Sequence, residues 1–401
     1  MDGEVQQFSV PFQFPVCFTR DVWRADNPLL LNVLRRAEPT RRHKMLVVVD
    51  SHVANAHPSL IRDVEDYCAA SPESLTLIAP PLVVPGGEQI KNDVTHLFVL
   101  LQRMNDVGLD RQSFVIVIGG GAVLDTVSFA AAIAHRGIRV VRLPTTVLSQ
   151  ADSGVAVKNG INLFGKKNFA GTFVPPFAVI NDLRFLETLD HRDRIGGVAE
   201  AIKVSLLRDP AFFEYIEANA AAITGGDSDV LARVIERSAQ LHLAHICGNG
   251  DPFELGSARP LDFGHWAAHK LESITGHRLR HGEAVAIGMA LDILYSVRMG
   301  ALDRPCADRM LRLLAAIGFQ LWDDAILERD AAGQLLLIQG LREFREHLGG
   351  ELHVTLLRGF GRSFEVTEMD EALVRDSITE LAACGTADRA ARRLVDAPDV
   401  Q

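Results

Sequence analysis

The chain has 401 residues, is 48% hydrophobic, and carries 51 acidic against 41 basic side chains for a formal net charge of −10. That length suits two domains with cores of their own, and an acidic chain with no basic stripe argues against nucleic acid as a partner. Five scattered cysteines in no metal or redox spacing, a polar N-terminus and no apolar run of membrane-spanning length point to a cytoplasmic protein outside the membrane.

In the first half, β-branched runs alternate with amphipathic segments. Met45–Asp50, Leu75–Ala79, Phe114–Ile118, Arg139–Leu143 and Phe177–Ile180 read as strands. Strands separated by helices predict a doubly wound, mostly parallel sheet. From about Leu183 helical periodicity takes over. Asp229–His245 and Pro305–Ile317 read as amphipathic helices and Phe263–Leu271 and Ala284–Tyr295 as buried ones, with a late strand over Glu351–Leu357. The expected division is an α/β domain over residues 1–183 and a mainly α-helical domain over residues 184–401.

Gly119-Gly120-Gly121 leaves the strongest strand and enters a helix that carries Asp125. Glycines there let backbone N–H groups approach a phosphate, although the run lacks the G-x-G-x-x-G spacing. Asp50 ends an earlier strand, where a carboxylate takes ribose hydroxyls. Glu88 and Lys91 follow a second glycine turn, and Thr145 and Thr146 follow a further strand. In a parallel sheet these strand ends collect on one edge, the ligand-binding edge.

His265 and His269 stand four residues apart, on one helix face, with His281-Gly-Glu twelve residues later. A catalytic zinc takes three protein ligands and keeps one position open. Glu200, on the apolar run Val198–Val204 with Lys203 on the same face, is a buried carboxylate that needs a partner or a metal. Spacing leaves open whether His265 and His269 hold one ion or do different work.

These motifs resemble the sugar phosphate cyclases, the superfamily of 3-dehydroquinate synthase. The resemblance rests on Gly119–Asp125, on the long run Pro144–Asn168, on Gly197–Lys203, on Phe263-Gly-His265 and on His281-Gly-Glu-Ala-Val, all in family order. It implies a dehydroquinate synthase-like fold, an active site between an NAD-binding and a metal-binding domain, and a homodimer. By position, Glu200, His265 and His281 would hold Zn2+ or Co2+. Asp50, Glu88, Lys91, Gly120, Gly121, Asp125, Thr145, Thr146, Thr188 and Leu189 would line NAD. Asp152, Lys158, Lys167, Asn168 and Lys203 would meet the substrate. Arg136 would reach the phosphate from the other subunit, and His269 would face that phosphate and move protons. The implied reaction is a transient oxidation by NAD, β-elimination of phosphate, return of the hydride and aldol closure of the ring.

The substrate-reading positions depart from 3-dehydroquinate synthase. The family's carboxylate-gripping lysine and arginine fall on Ala244 and Ala258, with Arg259 one place later, and its asparagine before Phe-Gly-His is Asp262. Two lost cations and a gained carboxylate argue for a neutral-ended heptulose phosphate. The pattern is then similar to the 2-epi-5-epi-valiolone synthase group and the cyclases of Ebo-type clusters, which implies sedoheptulose 7-phosphate going to a valiolone-type cyclitol. Arg345 would replace a phosphate contact. Three rivals stand beside this reading: a 3-dehydroquinate synthase using Arg259 with His242 or His245, a metal-dependent polyol dehydrogenase, and a binding protein that keeps only the fold.

Overall fold

A computed structural model describes residues 6–248, 253, 260–347 and 352–395. Two compact units emerge. One runs to Ser149 and resumes over Ser153–Thr188; the other takes Gln150–Asp152 and the chain from Leu189 onward.

The first unit is built on seven strands: β1 (Val16–Thr19), β2 (His43–Asp50), β3 (Leu75–Leu77), β4 (Leu82–Val84), β5 (Phe114–Gly119), β6 (Arg139–Pro144) and β9 (Ala178–Asp182). They lie in the order β1-β9-β6-β5-β2-β3, with β4 also paired to β2, and every pairing is parallel. Side chains alternate between faces. Met45, Val47 and Val49 join one core with Phe114, Ile116, Leu34 and Val64. Leu46 and Val48 join another with Val115, Val117, Leu100 and Val127. A sheet covered on both faces needs unbroken apolar runs, which is why β2 and β5 read so plainly as strands. From β2 the chain moves outward one way to β3 and β4, then the other way to β5, β6 and β9. The order therefore reverses between β2 and β5, and in open parallel sheets the crevice at that reversal is where ligands bind.

A separate antiparallel hairpin, β7 (Lys158–Leu163) and β8 (Lys166–Phe173), packs against the Gly121–Ile133 helix. Its two-residue turn is left-handed at both positions, Phe164 (φ 54°) and Gly165 (φ 70°), the geometry that matches strand twist.

The second unit is mainly helical, with one antiparallel hairpin, β10 (Val354–Gly359) and β11 (Arg362–Val366). Its centre is the His281–Arg298 helix, buried almost all round. It packs against the Val198–Arg208, His265–Ile274 and Glu371–Val395 helices. Two glycines permit this. A Cβ on Gly282 would stand 1.9 Å from the Gly196 carbonyl oxygen, and one on Gly288 would stand 2.0 Å from that of Gly264. Gly288→Ala is accordingly expected to lower unfolding stability by about 1–3 kcal/mol, the usual cost of forcing a methyl into a close-packed contact. A urea-unfolding midpoint equal to that of the parent would contradict this packing. No described helix is long and apolar enough to cross a membrane.

Candidate functional site

The C-terminal ends of the parallel strands bring several expected residues together. Asp50 ends β2, is buried, and accepts a 2.8 Å hydrogen bond from the His52 amide. Gly86 lies against it so closely that a Cβ would stand 2.1 Å from Asp50 Oδ1. At the end of β5, Gly120 caps the Gly121–Ile133 helix with an extended backbone, so the helix N-terminus and its unpaired amides open at the β2/β5 reversal. Thr145 donates its amide to the Gly119 carbonyl at 3.1 Å, and Thr146 Oγ1 lies 2.8 Å from Ser149 Oγ. One residue missed at the sequence level joins them. A Cβ on Gly121 would stand 2.8 Å from Ser153 Oγ, a buried hydroxyl with no hydrogen-bond partner of its own.

Glu88, Lys91 and Asp125 belong to one polar network with Asn168. Lys91 is 5% exposed and donates to Asp125 Oδ2 at 2.7 Å and to Asn168 Oδ1 at 2.6 Å. Asn162 completes it, donating to Glu88 Oε1 at 2.9 Å and accepting the Asn168 amide at 2.8 Å. Asn168 itself holds a left-handed backbone (φ 51°), costly for a non-glycine residue and typical of binding sites. Lys158 and Lys167 stand on the same hairpin. The carbonyl of Lys158, with those of Gly154 and Ala156, accepts from the fully buried Arg142 guanidinium. Burial lowers the Arg142 pKa to about 10 against the opposing pull of Asp125, so it stays charged and pins the segment leading to Lys158. Arg136 is not brought to this edge. It precedes the N-terminal end of β6, exposed on a left-handed turn with His135. Thr188 pairs its hydroxyl with His57 Nε2 at 2.9 Å, so His57 has a partner that spacing did not suggest. The Leu189 carbonyl accepts from Arg194 in the second unit.

In the second unit Glu200, His265 and His281 converge, with one ligand atom from each lying within 4.8 Å of the others. His265 Nδ1 lies 3.1 Å from the Phe263 carbonyl, and His281 Nδ1 lies 3.4 Å from Glu272 Oε2. The Phe263 carbonyl and the Glu272 carboxylate each accept from an Nδ1–H, and in the neutral imidazole that leaves Nε2 to present a lone pair. Both Nε2 atoms face Glu200 Oε1, at 3.6 Å and 3.3 Å. Burial, then the nearby charges of Lys203, His269 and His281, hold the His265 pKa well below its usual value. Burial would raise the Glu200 pKa, but Lys203 and His281 overcome it and the carboxyl lies far below the carboxylate range. The Lys203 ammonium lies alongside Glu200 Oε2, yet neither carboxylate oxygen has a hydrogen-bond donor in directed geometry. Three potential ligand atoms thus converge on one point, with the Lys203 ammonium beside them. A divalent cation satisfies that arrangement, and a two-nitrogen, one-oxygen set with a supporting acceptor behind each imidazole suits zinc or cobalt.

His269 stands outside the trio. Its ring centroid lies 5.4 Å from that of His265 and 6.3 Å from that of His281. Asp152, on the short Ser149–Ser153 turn, meets His242 Nδ1 at 2.9 Å. Burial pushes its pKa up, but His242 outweighs that and leaves it low. For Lys203, burial is outweighed by Glu200 and Asp152, and its pKa is raised. Ala244 is exposed on the Ser228–Gly248 helix, and Arg345 is exposed as well. Ala258 and Arg259 lie outside the described residues.

Residues 81–195 match the family described as 3-dehydroquinate synthase N-terminal, and residues 197–337 match its C-terminal counterpart. A 3-dehydroquinate synthase of Jannaschia sp. (strain CCS1) is 35% identical over 85% of this chain and 90% of its own length. One of Paracoccus denitrificans (strain Pd 1222) is 34% identical over 84% and 89%. Among solved structures, 2-epi-5-epi-valiolone synthase from Streptomyces hygroscopicus subsp. jinggangensis 5008, with NAD+ and Zn2+ bound, aligns over 95% of this chain and 99% of its own, with a TM-score of 0.83 and 25% identity. A 2-deoxy-scyllo-inosose synthase complexed with carbaglucose-6-phosphate, NAD+ and Co2+ shares the fold at a TM-score of 0.71 and 22% identity, over 92% of this chain and 96% of its own. A parallel-sheet α/β unit followed by a helical unit, matched over both halves and along most of the length of such relatives, means that this chain belongs to the 3-dehydroquinate synthase family.

Proposed function

We propose that the chain is a sugar phosphate cyclase, a phosphate-eliminating lyase that works with NAD and a divalent metal. The observation that carries this reading is the convergence of ligand atoms from His265, His281 and Glu200. Those residues would hold Zn2+ or Co2+. Asp50, Gly120, Gly121, Thr145, Thr146 and Ser153 would line NAD, with Glu88, Lys91 and Asp125 in the network behind. When bound, the two groups supply acidification of a hydroxyl and a reversible hydride acceptor.

The chain's own side chains have separate tasks. Lys158, Lys167 and Asn168 offer two cations and an amide for a phosphate. Lys203, charged and buried beside Glu200, orients a substrate hydroxyl, and Asp152 with His242 forms a second polar anchor. Arg136 precedes the N-terminal end of β6, opposite the strand ends that would line NAD, and would reach the phosphate of a second copy of the chain.

The 33–35% identity to proteins named 3-dehydroquinate synthase favours the carboxylated seven-carbon sugar phosphate of that enzyme as substrate. A specific observation favours a second reading. Ala244 and Ala258 replace two cations, and Asp262 adds a negative charge, which would repel a substrate carboxylate. On that reading the substrate is a neutral-ended heptulose phosphate such as sedoheptulose 7-phosphate, and the product a valiolone-type cyclitol.

Phosphate release from zinc- or cobalt-loaded protein with NAD, with both sugars run side by side and NADH followed by absorbance, separates the readings. Release from the carboxylated sugar alone supports 3-dehydroquinate synthase, and release from the heptulose alone supports the second reading. Accumulating NADH without phosphate release would replace both with a polyol dehydrogenase.

A further inference from the structure

We infer that Asp292 is a positioning residue for the metal trio, holding His265 in register with His281; the inference rests on the metal reading above. Asp292 is fully buried on the His281–Arg298 helix, eleven residues beyond His281. Its two oxygens are divided between two donors on the other metal-bearing segment. Oδ2 accepts the Gly264 amide at 2.9 Å, and Oδ1 accepts the Trp266 indole N–H at 2.8 Å. These donors flank His265 on either side. Gly264 is the left-handed cap (φ 78°) from which the His265–Ile274 helix starts, so its amide has no partner within that helix. Asp292 supplies one from the neighbouring helix, where a carboxylate also complements the helix dipole.

No ordinary packing need explains the residue. A buried carboxylate is costly, and an apolar side chain of similar size would fill the space without that cost. Among the described residues no lysine or arginine offsets its charge; burial raises its pKa to about 7, opposed by the two hydrogen bonds. What Asp292 gains for the fold is the fixed placement of residues 264–266. The Gly264–Gly288 contact, one turn earlier on the same helix, leaves that segment little room to slide. His265 Nδ1 in turn donates to Phe263, immediately before the cap. The chain from Phe263 to Trp266 is therefore held on the helix that carries His281, and the separation of the two Nε2 atoms follows from it.

The test uses zinc affinity, read by competition with a chromophoric chelator on apo protein, with NAD affinity measured in parallel. Asp292→Asn keeps the shape but offers an amide N–H₂ to one of two N–H donors. It is expected to weaken zinc by about 10–100-fold, the range for groups that orient metal ligands, and to leave NAD affinity within roughly twofold. Trp266→Phe removes one donor and is expected to cost roughly threefold to tenfold on the same grounds. In the double variant the single asparagine oxygen can accept from Gly264, so zinc affinity should recover toward that of Trp266→Phe alone. That rescue is an outcome general destabilisation does not give.

Wild-type zinc affinity in Asp292→Asn, or equal losses of zinc and NAD affinity, would overturn the inference. If Asp292→Asn does not fold, unchanged zinc affinity in Trp266→Phe overturns it instead. Failure of the parent protein to bind zinc or cobalt at all would overturn the metal reading, a different result.

Discussion

Glu200→Gln is expected to cost the protein its metal and its turnover together. Glu200 is 2% exposed and is the only anion of the trio. A glutamine there keeps the volume but removes the charge. Its amide N–H₂ would donate to the Nε2 lone pairs of His265 or His281 and so occupy the ligand atoms. Zinc affinity should fall by more than the ~100-fold that bounds changes behind the ligands. Stability should respond as well. Lys203 is buried beside Glu200 and loses its nearest counter-charge, although Asp152 and Asp262 still act on it. Breaking a buried pair by removing one partner typically costs about 3–5 kcal/mol, so the apo variant should melt below the parent. Added zinc should raise the Tm of the parent and not that of the variant. Stoichiometric zinc retained by Glu200→Gln after dialysis would rule out this trio as the metal site.

The parts of the fold that could be read from the sequence are those where one physical requirement dominates. β2 and β5 are buried on both faces and carry continuous apolar runs, Met45–Val49 and Phe114–Ile118. β1 and β4, at four and three residues, are short and closely flanked by proline or polar residues, whereas the equally short β3 lies in the longer, mostly apolar run Leu75–Ala79. The β7–β8 hairpin escaped because its residues are chosen for chemistry; Lys158, Asn159, Asn162, Lys166, Lys167 and Asn168 break any apolar alternation. The metal candidates were named because a carboxylate and histidines stand in apolar segments and fall where the family resemblance puts ligands. Their supports were not. The Phe263 carbonyl, Glu272 and Asp292 act through the packing of two helices side by side, which spacing does not encode. One signal was present. Asp292 is the one acid in the apolar stretch Ala284–Val297, and acids are rarely buried without a task. Arg142 in the middle of β6 is the same kind of signal.

His265→Ala and His269→Ala are expected to separate metal binding from proton handling. The two side chains share one helix face a turn apart, so position alone would allow both to bind the ion. Geometry divides them. His265 directs Nε2 at Glu200 with its Nδ1 fixed on the Phe263 carbonyl. His269 lies with its ring perpendicular to that of His265, and its atoms are not in the cluster that falls within 4.8 Å. His265→Ala should therefore lose zinc, and with it turnover on whichever sugar phosphate the parent accepts. His269→Ala should hold zinc within roughly threefold of the parent, a smaller change than loss of a supporting group gives. Its turnover should nevertheless fall by about 10²–10⁴-fold, the usual contribution of a positioned acid or base. Added imidazole should restore part of the His269→Ala rate without changing its metal content. In His265→Ala it should restore nothing unless metal returns as well. Equal metal loss in the two variants would make His269 a fourth ligand, leaving proton transfer near the phosphate to another group, with Lys203 and the Asp152–His242 pair next in reach of the trio.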